Sequence, residues 1–322
     1  MTIKEIFNLA IKTGVENDPR GCAEVARILR ENKKSYDELP KKKQTEYDKD
    51  KFVNPYSDSR ILTKIDERKV KRVLVGVDID SAEVVLAKEL ERSGKKIDLI
   101  IAHHPEGKAL ADLHEVMDIQ TAVLARAGVP ENIGEGVLHD RLEQVWRQIS
   151  PVNHYQSVMT AELLGIPMIN IHTPADNCVW KFVDDYISKK KSRTVGEIVD
   201  ALKEIPEYRR ATELHSGPTI FAGSEKNHAG KIVVSGMTGG TSGSEKIYER
   251  MSHYGVGTEI AMHVREEDRD EAMKHYINIV IAGHIASDSL GLNIIMDKLE
   301  KSGIEIIPCS GYIRHSRVSV KR

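Results

Sequence analysis

The chain has 322 residues, of which 40% are hydrophobic, 5% aromatic and 30% charged. At roughly 100–200 residues per domain, this length predicts two domains. The 47 basic and 49 acidic residues leave a net charge of −2, which gives no electrostatic reason to expect nucleic-acid binding. No apolar run approaches the length of a membrane span, and three cysteines without a pairing motif favour a reducing, cytoplasmic location.

The N-terminal part of the chain predicts one helix followed by a charged segment. Ile3, Ile6 and Leu9 lie near helical spacing, which predicts an amphipathic helix, and the stretch lacks the order of a signal peptide. Residues 31–70 are charged and show little apolar periodicity, so we expect a surface loop with a short helix. Acidic residues alternate with the lysines there, which favours a solvated face over an interaction patch.

From residue 71 onward the pattern alternates between strands and helices. Residues 71–80 predict a strand, residues 81–96 a helix and residues 97–105 a second strand, which together form a βαβ unit with parallel pairing. Further strands are predicted at 168–172, 218–223, 231–237, 259–264, 277–283 and 303–309. Apolar runs without alternation, such as LIIA and IVIA, suit strands that are covered on both faces. The sequence therefore predicts an α/β fold with parallel or mixed sheets flanked by helices.

A basic, polar stretch at residues 188–194 suggests a domain boundary. We expect an N-terminal α/β domain over residues 1–190, which carries the charged insertion at about 31–70. A C-terminal α/β domain would then cover residues 191–322.

Three of the predicted strands run directly into side chains that commonly bind metal ions. In chain order these are His103 and His104, His172 and Asp176, and His284 and Asp288. In α/β proteins ligands gather at the carboxyl ends of strands, so the three strand ends can meet in one pocket. Their nitrogen and oxygen donors suffice for a site with one or two metal ions.

Two of these pairs differ in how their spacing supports a site. Neighbouring side chains on a strand point to opposite faces, but the turn at Pro105 lets His103 and His104 approach one volume. His284 and Asp288 would share one helical face if a helix begins after the preceding glycine. The alternative is that Asp288 only caps a helix, which leaves the histidine at the strand end unexplained.

In the third pair, Pro174 favours a turn over a helix between His172 and Asp176. Asp176 is the better ligand candidate, because a carboxylate can bridge two metal ions. His172 could orient that carboxylate. Cys178 has no partner cysteine and is interpreted as a small buried residue.

The remaining candidates are weaker. The loop at residues 235–246 could present backbone N–H groups to a phosphate, but it matches no phosphate-binding motif, and a tight strand-to-helix turn is at least as good an interpretation. Seven other histidines have no ligand-like arrangement around them, and most of these are interpreted as surface or capping residues: His114, His154, His215, His228, His253, His263 and His315.

The segments VGVDID, DLIIAHHP, HTPAD, SGMTGG and AGHIASDSLG occur in this order between residues 70 and 315. In this the chain resembles the Nif-three-like family, whose members are often described as GTP cyclohydrolase 1 type 2 homologues. The resemblance implies a dinuclear metal site between two α/β domains and a ring-shaped hexamer. Carried over motif by motif, the implied ligands are His103, His104, Asp176, His284 and Asp288.

The sequence departs from the family pattern near the implied pocket. The last family ligand is usually glutamate, whereas Asp288 is one methylene shorter. Glu106 follows the HHP motif in place of an apolar run and is expected at the pocket mouth. The charged insertion occupies the region where the family usually has a GLQVG-like segment. For these reasons the resemblance does not fix the substrate.

The predicted function is a metal-dependent hydrolase with two divalent ions (Zn, Mn, Fe, Co or Ni) that acts on a nucleotide or another small polar substrate. Glu106 or His172 would shuttle the proton. The alternative is a non-enzymatic, metal-binding ring that binds a protein partner or carries metal. By resemblance we expect a homo-oligomer, a hexamer, and we expect neither a membrane nor a nucleic acid as partner.

Overall fold

Two four-stranded sheets organise the protein in this computed structural model, which describes residues 1–319. The strands are β1 (Arg72–Gly76), β2 (Leu99–Ala102), β3 (Met168–Asn170), β4 (Thr219–Ala222), β5 (Lys231–Gly236), β6 (Val256–Ala261), β7 (Asn278–Ile281) and β8 (Glu305–Cys309). The first sheet has the order β3-β2-β1-β8 with all strands parallel. The second has the order β4-β7-β6-β5, in which β4 runs antiparallel to β7 and the other pairs are parallel.

Helices cover both sheets. They are α1 (Ile3–Glu16), α2 (Cys22–Glu38), α3 (Lys41–Gln44), α4 (Ser81–Arg92), α5 (Gly107–Ala111), α6 (Ile119–Arg126), α7 (Glu131–Ile149), α8 (Gln156–Leu163), α9 (Thr173–Lys190), α10 (Val195–Lys203), α11 (Pro206–Glu213), α12 (Ile247–His253), α13 (Glu266–Lys274) and α14 (His284–Lys301). Short 3-10 helices occupy Lys49–Phe52 and Leu113–Asp118. The predicted α/β fold with parallel and mixed sheets is therefore confirmed.

The predicted amphipathic helix at the N-terminus is α1. Thr2 and Glu5 form a capping box at its start, with the Thr2 backbone N–H donating to Glu5 Oε2 (2.7 Å) and the Glu5 N–H donating to Thr2 Oγ1 (3.2 Å). The expected loop over residues 31–70 is wrong at its beginning, because α2 stays helical to Glu38. Ion pairs at helical spacing, such as Lys34 with Glu38, support a helix that has almost no buried apolar face.

The central strands of the first sheet are buried on both faces, as their unalternating apolar sequence predicts. Val73 and Leu99 face one hydrophobic core, which contains α1 and α14, and Leu74 and Ile100 face the other. Alternate side chains of each strand thus serve two different cores. This rigid double-sided packing fixes the positions of the strand ends.

The last strand returns to the first sheet. The predicted boundary near residue 190 lies between α9 and α10, where the chain passes from the first sheet to the second. However, β8 pairs with β1 from Arg72↔Glu305 to Gly76↔Cys309. Residues 191–322 therefore contribute strands to both sheets. The edge strand β8 can pair with β1 from far along the chain, because parallel strands are joined by long connections. As a result α14 lies between the two sheets, with Leu292 in the core of the first and Leu290 in that of the second.

None of the helices within residues 1–319 is both long enough and apolar enough to cross a lipid bilayer.

Candidate metal centre

The carboxyl ends of the parallel strands bring the predicted ligands together. His103 and His104 follow β2 directly, and their backbone N–H groups donate to Gly76 O and Val77 O (3.0 Å each), so the segment continues beside β1. The His103 side chain is fully buried, whereas that of His104 is 25% exposed. Their rings still lie 5.2 Å apart between centroids, because the chain turns at Pro105.

The other two pairs stand at the starts of long helices. His172 is the N-cap residue of α9, and Pro174 lies in the first turn, where its missing N–H costs no helical hydrogen bond. The expected turn between His172 and Asp176 is therefore wrong: the two residues span the first turn of a helix. His284 opens α14 directly after Gly283, whose φ of 107° lets the strand turn sharply into the helix.

The donor atoms of these six side chains form one cluster. His103 Nε2 lies 3.4 Å from Asp176 Oδ1 and 3.4 Å from Asp288 Oδ1. Asp288 Oδ2 lies 3.6 Å from both His104 Nε2 and His284 Nε2. Two ligands bound tetrahedrally at about 2.0–2.1 Å from one ion would lie about 3.4 Å apart. The observed separations are close to this value, so the donor atoms stand at distances that a shared ion could span.

The donor set also leaves buried polar atoms without hydrogen bonds. His103 Nε2, Asp176 Oδ1 and both carboxylate oxygens of Asp288 are buried and have no hydrogen-bond partner among the described residues. Such atoms are costly to bury unless a ligand satisfies them. Three groups of side chains could each hold a metal ion, namely His103 with His104 and His172, His104 with His284 and Asp288, and His103 with Asp176 and Asp288. The residues present therefore fit a metal centre.

The electrostatics of the cluster are dominated by Asp288. Burial alone would raise the pKa of Asp288, but His103, His104 and His284 more than offset this and hold it well below its usual range. Burial likewise works to lower the pKa of His104, yet contacts with Asp288 and Asp78 raise it to about 9. Against its burial, contacts with Asp288 and Asp176 likewise raise the pKa of His103, so protons on His103 and His104 would compensate the carboxylate, and a bound metal ion would replace such protons.

The far ring nitrogens of three histidines are held by acceptors. His104 Nδ1 lies 2.6 Å from Asp78 Oδ1, and His172 Nδ1 lies 2.7 Å from Asp58 Oδ2. His103 Nδ1 lies 3.0 Å from the Ile171 carbonyl oxygen. Partners of this kind fix the tautomer and orientation of metal-binding histidines. Each Nε2 is thereby turned toward the cluster.

Neither Asp78 nor Asp58 was predicted from the sequence. Asp78 follows β1 within the VGVDID segment, so the strand-end rule that identified the histidines could have identified it too. Asp58 lies in a loop before the first strand, and no local pattern marks it.

We expect Asp58→Asn to weaken metal binding by roughly 10- to 100-fold, because His172 would lose the carboxylate that orients its ring. Thr173 Oγ1 also donates to Asp58 (2.6 Å), so thermal unfolding should be recorded alongside metal titration. Asp66→Asn is the matched control, because Asp66 is exposed at the surface and pairs with Arg68. An affinity equal to that of the control would show that His172 does not depend on Asp58.

His263 was among the histidines predicted to lie outside any ligand-like arrangement, and the structure places it beside His284. It follows β6, and its ring lies 4.6 Å from that of His284 between centroids. Burial and the neighbouring His284 lower the pKa of His263 to about 4, so its ring is neutral. Because β6 ends at Ala261, the strand-end rule could have identified His263 as well.

The structure places Glu106 at the start of α5, near the cluster. Ser157 Oγ donates to Glu106 Oε2 (2.7 Å), and burial raises the pKa of Glu106, with the charges of Asp80 and Asp78 adding to the effect. The side chain is half-buried and is not among the groups that could hold a metal.

The glycine-rich loop has a packing role. A Cβ at Gly239 would lie 2.7 Å from Gln120 Cγ, and one at Gly240 would lie 3.0 Å from Val116 Cγ2. Both glycines have φ above 80°. Their presence is explained by a tight turn against α6 and the preceding 3-10 helix, which favours the turn over the phosphate-binding interpretation.

Comparisons with known proteins agree with this architecture. The crystal structure of a NIF3 superfamily protein from Sphaerobacter thermophilus is 26% identical, covers 90% of this chain and 98% of its own, and has a TM-score of 0.68. Reduced HcgD from Methanocaldococcus jannaschii is 13% identical over 84% of this chain and 97% of its own, with a TM-score of 0.49, too distant to support an inference.

Sequence comparisons cover less of the chain. No protein-family model matches the sequence. An archaeal-type glutamate synthase (NADPH) from Thermotoga sp. (strain RQ2) is 30% identical over 99 residues, which are 29% of this chain and 19% of that protein. The chain thus matches only about a fifth of the length of this curated relative.

Proposed function

The chain belongs to the NIF3 superfamily, and from that premise we propose that it is a metal-dependent hydrolase. It would hold two divalent metal ions and act on a nucleotide or another small polar substrate. His103, His104, Asp176, His284 and Asp288 would bind the ions. This set combines imidazole and carboxylate donors, which suit Zn, Mn, Fe, Co or Ni.

A pocket beside the cluster carries the proposal. His172, Asp176 and His284 form part of its wall, and the pocket continues beneath the loop at residues 236–243. A structural metal site is enclosed by its ligands, whereas a catalytic site needs room for a substrate next to the ion. Asp176 and His284, two of the five proposed ligands, line such a space, which supports catalysis over a purely structural role.

Bound divalent ions would supply a nucleophilic water at neutral pH and stabilise negative charge that develops on the substrate. The protein's own residues would position the reaction. His172, held by Asp58, would orient the Asp176 carboxylate, since its Nε2 lies 3.7 Å from Asp176 Oδ2. Glu106, steadied by Ser157 at the mouth of the site, would accept a proton from the attacking water at its free carboxylate oxygen, Oε1.

The test compares purified protein reconstituted with Zn, Mn, Fe, Co or Ni against His284→Ala in a screen of ester, amide, amidine and phosphoester substrates. We expect one substrate class to be hydrolysed by the wild type, with a loss of at least about 100-fold in the variant. His253→Ala is the control, because this histidine lies at the exposed end of α12. Equal turnover by wild type and His284→Ala would refute metal-dependent hydrolysis at this site.

A further inference from the structure

The pocket beside the metal centre has a distinct inner end. Its wall includes both His284 and Glu259. We call the far part, lined by Ser235, Tyr248 and Glu259, the inner pocket. It lies between the second sheet and α12. No metal-binding role falls on its residues.

Glu259 is a buried carboxylate without a cationic partner at its oxygens. Its side chain is 2% exposed, and Ser235 and Tyr248 donate hydrogen bonds to Oε1 and Oε2, the latter over 2.7 Å. Burial raises the pKa of Glu259, an effect that the hydrogen bonds from Ser235 and Tyr248 oppose. Each carboxylate oxygen also keeps an unused lone pair.

Two further polar side chains of the pocket wall, Gln120 and Thr238, have also used their donors on the protein. Gln120 Nε2 donates to Gly239 O (2.7 Å) and to Thr241 O (2.6 Å). Thr238 Oγ1 donates to Asn177 Oδ1 (2.6 Å). These side chains can still accept hydrogen bonds, and so can the hydroxyl oxygens of the inner pocket. A ligand that satisfies them must bring hydrogen-bond donors.

The charges and the apolar part of the wall further restrict the chemical class of ligand that fits the pocket. Among the described residues that line the pocket there is no lysine or arginine. Arg265 lies nearby but is taken up by Asp268, to which its Nη2 donates over 2.7 Å. Val123, Met237 and Met262 give the wall an apolar part that suits a flat ring. An anion would meet a buried carboxylate and no side-chain cation.

We propose that the inner pocket selects a neutral or cationic nitrogen compound that presents two adjacent N–H groups to Glu259, such as an amidine or an amino-substituted heterocycle. This inference rests on the proposed function, because it describes the part of the substrate farthest from the metal centre. It makes Glu259 a specificity-determining residue, since two parallel N–H donors on a carboxylate provide both charge and geometric selection. A phosphate group is excluded from this end of the pocket.

The experiment is calorimetric titration of the full chain with benzamidine, with benzoate, which has the same shape and the opposite charge, and with inorganic phosphate. Metal-depleted protein isolates the inner pocket from the metal centre, and zinc-reconstituted protein is titrated in parallel. We expect benzamidine to saturate one site and to bind at least about tenfold more tightly than benzoate or phosphate. Equal or tighter binding of either anion to the metal-depleted protein would overturn the proposal.

Glu259→Gln should weaken benzamidine binding at least about tenfold, because the amide replaces one acceptor by a donor. Glu225→Gln is the matched control, because Glu225 is exposed on the loop after β4. If Glu259→Gln does not fold, the preference of the wild type for benzamidine over benzoate decides the question. Elemental analysis of the same samples tests the proposed function separately. If the protein takes up no metal but still binds benzamidine selectively, the metal-dependent reaction is refuted, whereas the proposed selectivity of the inner pocket is supported.

Discussion

Asp288→Asn is expected to reduce bound metal to under a tenth of the wild-type content, which we expect to be about two equivalents per chain. Asp288 is 1% exposed and lies within 3.6 Å of the Nε2 atoms of His103, His104 and His284, so its two oxygens touch more of the cluster than any other group described. Asparagine keeps the volume, and we therefore expect the fold to survive. It removes the negative charge and one of the two acceptor oxygens.

The measurement is elemental analysis after reconstitution and removal of free metal, with thermal unfolding to confirm the fold. Asp140→Asn serves as the control, because the Asp140 side chain is 83% exposed on α7. A folded Asp288→Asn protein with the same metal content as Asp140→Asn would show that the cluster is not the metal-binding site.

Gly291→Ala is expected to lower the free energy of unfolding by roughly 3 kcal/mol and to weaken metal binding at the same time. A Cβ at Gly291 would lie 2.3 Å from the Ala175 carbonyl oxygen, in the first turn of α9. That atom belongs to helical backbone and cannot move aside like a flexible side chain. The two helices would have to separate by about 1 Å to reach ordinary van der Waals contact.

Separation of the two helices would also affect the metal centre. Asp176 follows Ala175 directly on α9, and Asp288 lies one turn before Gly291 on α14. Their Oδ1 atoms each lie 3.4 Å from His103 Nε2. Separation of α9 from α14 would pull these carboxylates apart, and we expect at least about a tenfold loss of metal affinity.

Gly136→Ala provides the contrast, measured by urea denaturation of metal-depleted protein and by metal titration. Gly136 is exposed within α7 and a Cβ there would meet no atom within 4 Å. Gly136→Ala should raise the free energy of unfolding by up to about 1 kcal/mol, since alanine is the better helix former. If Gly291→Ala proved as stable as Gly136→Ala, the close approach of α9 and α14 would not exist in solution.

The six cluster residues could be predicted because their positions follow from the local sequence. Each pair follows an apolar run that forms a parallel strand, and ligands gather at the carboxyl ends of such strands. Because β2 and β3 belong to the first sheet and β7 to the second, the meeting of the three pairs also depends on how the sheets pack. The same rule could have identified Asp78 and His263, which also follow strands. Pro174 misled the prediction because a proline in isolation does not reveal whether it breaks a helix or begins one.

Other features could not be predicted from local patterns. The return of β8 to the first sheet joins residues more than 200 positions apart, as in the pair Arg72↔Glu305. Asp58 and Glu259 are ordinary acidic residues in the sequence, and their roles depend on contacts with His172 and Tyr248.

The sequence by itself determined the α/β class, most of the strands and the donor set of the candidate metal centre, because periodicity and strand ends are properties of short segments. Only the tertiary structure decided that two sheets share α14, that Gly291 lets α9 approach, and that a pocket runs from the cluster to a buried carboxylate. These features arise from packing between distant segments. Burial, unused lone pairs and backbone contact distances exist only once those segments have met.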